Sequence, residues 1–174
     1  AKENKKYEAV LNQPVGEALA EIRDGDPATG VRRVRSGETN MGDLVADAYR
    51  AVLNTDAAIV NGGSLRYSIK KGVFSYQDLL TAFPFGNMCA VVEVTGQTLL
   101  DALELGVTNY PEESGGFLQV SGITYTIDAT IPSSVERDAQ GGFAGVGGAY
   151  RVKDVMIGGK PLDLAKTYKI GGTT

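Results

Sequence analysis

Residues 35–66 read RSGETNMGDLVADAYRAVLNTDAAIVNGGSLR, and this stretch decides the fold. Met41, Leu44, Val45, Ala48 and Val52 recur at helical spacing. Thr39 or Asn40 offers an N-cap, and Asp43 puts an acidic group in the first turn, so the spacing predicts a helix from Asn40 to Leu53. Ala57-Ala58-Ile59-Val60 follows without polar alternation, as expected of a strand buried on both faces. Asn61-Gly62-Gly63 then ends the strand in a loop.

Working outward, Ser75-Tyr76-Gln77-Asp78 reads as a capping box opening a short helix that Pro84 stops. Met88 to Val94 predicts a strand. Thr95 caps a helix carrying Leu99, Leu100, Leu103 and Val107 on one face, ended by Tyr110-Pro111. Beyond Phe117 the pattern becomes one of hairpins. Phe117 to Val120 and the alternating Ile123 to Ile127 flank Ser121-Gly122, and Val152 to Ile157 and Leu162 to Ile170 flank Gly158-Gly159. Residues 140–148, with five glycines and Ala144 besides Gln140, Phe143 and Val146, read as a mobile loop. Helix-strand units followed by hairpins predict an α+β fold with mixed sheets; no GxGxxG opens a helix after a strand.

The 174 residues are 43% apolar and 22% charged, enough for the core of one domain. No apolar run approaches the roughly 18 residues of a membrane span. A net charge of −4 gives no basic field for a polynucleotide, so no nucleic-acid partner is expected. Cys89 is the sole cysteine and, inside the run to Val92, reads as a small core residue. The chain has no histidine, which removes the usual neutral-pH base and the commonest nitrogen ligand of catalytic metals. With no G-x-S-x-G elbow either, an independent serine or cysteine hydrolase is disfavoured. Glu38, Asp43, Asp47 and Asp78 read as caps and solvated groups, so no metal site is expected here.

Arg35 to Leu44, Asn61 to Arg66 and Phe83-Pro84-Phe85-Gly86-Asn87 are each weak signals alone: a turn, surface arginines, core aromatics. Together, with Ser114 to Gly122 and the closing Lys166-Thr167-Tyr168-Lys169-Ile170, they resemble the C-terminal domain of the 5′-nucleotidase family, which includes periplasmic UDP-sugar hydrolases and cell-surface ecto-5′-nucleotidases. The resemblance runs over residues 15–174 and implies an α+β fold layered α/β/β/α, with residues 1–14 as the end of an interdomain linker helix.

It also implies a division of labour. An N-terminal metallophosphatase domain of the same polypeptide would carry two divalent metal ions, while this domain holds the nucleoside part of a nucleotide and needs no cofactor of its own. By position, Arg35, Asn61 and Arg66 would bind ribose or anionic oxygens. Phe85 would stack on one face of the base, Asn87 would bond its edge, and Gly115 would bring backbone beside it. Arginine forks and glycine backbones suit such contacts. The resemblance departs at Ser64, where the family has a third glycine, and at Thr174, where the family pattern continues to a second stacking aromatic, so the domain is expected to be truncated there and Phe85 exposed. Phe74, Phe83 and Phe117 are expected in the core. The implied function is nucleotide recognition in an extracytoplasmic two-domain hydrolase, with the chain inactive alone; the alternative is a stand-alone cell-surface interaction module that has kept the fold.

Overall fold

The computed structural model describes residues 2–173. A helix, α1 (Lys2–Leu11), leads into β1 (Pro14–Ala18). Helix α2 (Asn40–Leu53) opens where Thr39 Oγ1 accepts the Gly42 N–H at 3.1 Å, and it ends at Asn54 in the left-handed region, φ 50°. Its buried face is Met41, Gly42, Val45 and Ala46, one stripe of the predicted period. Strand β2 (Ala57–Asn61) follows, then β3 (Gly72–Ser75), which pairs antiparallel with β1. Helix α3 (Tyr76–Ala82) carries the capping box in full: Ser75 Oγ accepts the Asp78 N–H, and the Asp78 carboxylate accepts the Ser75 N–H at 2.7 Å. Strand β4 (Cys89–Thr95) runs into α4 (Gly96–Gly106), capped by Thr95.

The second half is mostly β: β5 (Leu118–Ser121), β6 (Ile123–Ile127), β7 (Val135–Arg137), β8 (Phe143–Val146), β9 (Val152–Ile157), β10 (Lys160–Pro161) and β11 (Thr167–Thr173). The central sheet has the order β4-β11-β2-β5, with β11 parallel to β2 and the other pairs antiparallel; a second sheet has the order β10-β9-β6. The fold is α+β, as expected.

Strand β2 separates two cores by its alternation. Ala57 and Ile59 face Leu99, Leu103 and Val107 of α4 and Ile123, Val152 and Ile157 of the second sheet; Val60 faces Val34, Met41, Val45, Leu65 and Ile69. Phe117 is buried with the first core, whereas Phe74 and Phe83 are only partly buried against the second. In the first core, Glu104 is fully buried and its carboxylate accepts the N–H groups of Arg151 and Val152 at 2.9 Å. The Arg151 guanidinium in turn donates to the carbonyls of Val107 and Tyr110 at 2.9 and 2.8 Å, in the turn that follows α4.

Four sequence expectations are corrected. Strands β5 and β6 do not form a hairpin: β5 pairs with β2 and β6 with β9, in different sheets. A two-residue hairpin needs a positive φ at its first turn residue, and across Ser121-Gly122 only Gly122 has one, 74°. Gly158 and Gly159 both have one, 56° and 76°, and there a hairpin forms, but between β9 and the short β10 rather than with residues 162–170, since β11 pairs with β4 and β2 in the central sheet. The glycine-rich segment is not a structureless loop, because β8 within it pairs with β7. Cys89 is exposed rather than in the core, since β4 is an edge strand with Val91 and Val92 also exposed.

Candidate functional site

The turn after β2 is fixed from both sides. The N–H groups of Gly62 and Gly63 donate to the carbonyls of Phe117 at 2.7 Å and Gly115 at 2.9 Å. Asn61 Nδ2 donates to that same Gly115 carbonyl at 3.1 Å. A Cβ on residue 62 would lie 2.0 Å from the Val34 carbonyl oxygen, so only glycine lets the turn meet the segment that carries Arg35. Ser64, which stands where a third glycine was the family pattern, turns its hydroxyl onto Asn61 Oδ1 and is accommodated inside the turn.

Arg35 ends a short 3-10 turn, Arg33–Arg35, and its carbonyl accepts the Ser114 N–H at 2.9 Å, which draws the Gly115 segment alongside. Its guanidinium is held below its ordinary range, first by burial and then by the charges of Arg32 and Arg66. Arg35 Nε is buried without a hydrogen-bond partner among the described residues. A buried donor left open in a cluster of cations is an anion or carbonyl acceptor's place.

Arg66 donates its backbone N–H to the Ala82 carbonyl at 2.9 Å, tying the turn to the end of α3 and so to the Phe83–Asn87 segment. Its guanidinium carbon lies 5.7 Å from the centroid of the Phe85 ring, within cation–π range. Phe85 is 47% exposed, as expected, and Asn87 is exposed beside it. With Tyr49, Ser64, Leu65 and Phe83 they line a shallow cleft of about 140 Å³.

All six expected residues therefore converge. Arg35 and Asn61 meet through the Gly115 segment, Arg35 senses the charge of Arg66, and Arg66 lies over Phe85 next to Asn87. Sequence reading missed Arg32, whose guanidinium donates to the Leu65 carbonyl while pairing with Asp24 at 3.3 Å, and so braces the turn from below. The only signal for it was the density of arginines at 32, 33 and 35. Tyr49, in the cleft wall, was read merely as part of a helix. The set offers donors, a flat ring and an amide. Among the described residues, no three His, Cys, Asp or Glu side chains come together as a metal's donor set.

The family model for the 5′-nucleotidase C-terminal domain matches residues 14–173. The chain belongs to that family. Over 164 residues this 5′-nucleotidase C-terminal domain is 34% identical to a 5′-nucleotidase of Vibrio parahaemolyticus, covering 94% of the chain and 25% of the relative. It is 30% identical to Protein UshA of Escherichia coli over 174 residues, covering 97% of the chain and 28% of UshA. The crystal structure of a 5′-nucleotidase precursor from Thermus thermophilus superposes with a TM-score of 0.80 at 31% identity, over 99% of this chain and 31% of that one. The domain thus spans between a quarter and a third of these relatives' lengths. No helix among the described residues is long and apolar enough to cross a membrane.

Proposed function

We propose that this domain binds the nucleoside end of a nucleotide in a two-domain, metal-dependent 5′-nucleotidase. The observation that carries the reading is the Arg66–Phe85 pair beside Arg35, with its open Nε. Phe85 presents an exposed face to stack on a base, and Asn87 lies at the base's edge. Arg35, Asn61 and Arg66 bond ribose or anionic oxygens, and the Gly115 backbone bounds the site. A domain N-terminal to this one would hold two divalent ions, which would supply Lewis-acid chemistry at the phosphate. The part played by this chain is positional: fixing the nucleoside places the distant phosphate for in-line attack. The parent protein is proposed to act outside the cytoplasm, the place that the resemblance to periplasmic and cell-surface nucleotidases implies.

The test is a titration of the isotope-labelled domain with adenosine, uridine and AMP, followed by amide NMR. The expected result is saturable shifts at Asn61–Arg66, Phe85–Asn87 and Gly115 for at least one of them. Shifts confined to other segments, or none near millimolar ligand, would overturn the reading.

A further inference from the structure

A second and larger cavity, of about 420 Å³, opens where β5 and β6 diverge into their separate sheets and the start of α2 closes the gap. None of the six clustered residues lines it. Its volume lies within the roughly 300–1,000 Å³ of small-molecule sites.

Three aromatic residues, Tyr110, Phe117 and Tyr125, contribute to its wall, together with the carboxylates of Glu38 and Asp43. Both carboxylates share the cavity wall with Tyr125. Among the described residues neither carboxylate has an ion-pair partner, and the ion pairs present lie elsewhere, at Arg23–Glu21, Arg32–Asp24 and Lys169–Glu93. Arg33 is the one cationic residue of the lining; its guanidinium packs against Gly37 and forms an ion pair with neither carboxylate.

We infer that this cavity binds a small organic cation, an amine or quaternary ammonium with an apolar or aromatic body. The body would lie against Tyr110, Phe117 and Tyr125, and the cationic head would meet Glu38 and Asp43. Ring faces attract a cation, and two carboxylates that outnumber the single arginine gain from one. An anion would meet both carboxylates and find only Arg33. A neutral apolar ligand would desolvate them with nothing in return. A metal ion lacks a third donor of the usual kind, since no three such groups come together among the described residues.

The probe is phenethylamine, titrated into the whole domain by amide NMR, with phenylacetate and 2-phenylethanol as the anionic and neutral analogues of the same body. The expected result is shifts at Gly37–Glu38 and Thr124–Ile127 from the amine alone. Glu38→Gln with Asp43→Asn should weaken it roughly tenfold or more, the loss of about one charged contact. Thr124→Arg, at an exposed position of the lining, should abolish binding by putting a cation in the mouth, with a dispersed spectrum showing that the variant is folded. The inference is overturned if the alcohol or the acid binds as well as the amine, if the double variant keeps its affinity, or if the amine shifts only the Asn61–Arg66 and Phe85 amides. That last outcome would leave the nucleoside reading standing.

Discussion

Gln119 in β5 donates its buried side-chain amide to the carbonyl of Gly37 at 2.7 Å, across 82 positions of sequence. The same amide nitrogen donates to the Val34 carbonyl at 3.0 Å, and its oxygen accepts the Thr39 N–H at 3.2 Å. Arg35 sits between the two carbonyls so held. A core strand thereby fixes the segment that carries Arg35 and the cap of α2.

Gln119→Leu removes these bonds while keeping a side chain of similar reach. It leaves two carbonyls and an amide N–H without partners in a site that is 2% exposed. Each such orphan costs about 1–3 kcal/mol. A urea denaturation midpoint well below that of the parent chain is expected; an unchanged midpoint would show that water replaces the amide.

Gly62→Ala sets a methyl 2.0 Å from the Val34 carbonyl oxygen, which is backbone and cannot rotate away. The turn must then move off the Arg35 segment, with loss of the Gly62-to-Phe117 and Gly63-to-Gly115 bonds. The expected outcome is a lower melting temperature together with loss of the nucleoside-induced shifts. Gly86→Ala in the neighbouring segment, where an added Cβ meets nothing within 4 Å, should leave stability nearly unchanged.

The contrast between these glycines bears on what could be read beforehand. Periodicity predicted α2 over the residues it occupies, because one apolar stripe and one cap define a helix locally. The Ser75–Asp78 box was legible for the same reason. Strand partners were not local. Nothing in residues 117–127 says that β5 pairs with a strand some sixty residues earlier; only the backbone angle at Ser121 forbids the hairpin, and that is a property of the fold. Cys89 failed similarly, since an apolar run does not say whether its strand is central or at an edge. For the site, the resemblance supplied six residues that converge in space. Arg32 escaped because its work is to brace carbonyls of a distant turn, which leaves no motif.

Phe85→Ala tests the stacking role separately from folding. The ring is 47% exposed and lies under the Arg66 guanidinium, so stability should fall by less than about 1 kcal/mol. Stacking of a base on an aromatic face is worth about 1–3 kcal/mol. Nucleoside affinity should therefore drop by roughly 5- to 150-fold, read by NMR titration. Phe85→Tyr should retain most of it. Equal affinity in Phe85→Ala would remove the ring from the site.

Alkaline pH gives a test that rests on titration. Burial first, and then the charge of Glu38, push the Tyr125 hydroxyl up to about 12 from its ordinary 10.0. Tyr150 is likewise pushed up to about 12 by burial and by Asp101, whose carboxylate accepts its hydroxyl at 2.6 Å. In the unfolded chain a tyrosine loses its proton near pH 10, while in the fold it keeps it until about 12. Between those values the native state binds more protons than the unfolded one, so stability falls as pH rises. It is undiminished below pH 10, declines from there, and the loss is complete only above the folded value. For Tyr125 that loss is at most about 3 kcal/mol. Tyr125→Phe has no proton to lose. Its stability, measured by urea denaturation from pH 8 to 12, should fall less steeply than that of the parent chain, with the two curves parallel below pH 9. Lysine and arginine titrate in the same range, and the difference between the two proteins cancels their part. Curves parallel throughout would mean that Tyr125 ionises as freely in the fold as in water, and that the cavity beside Glu38 is open to solvent.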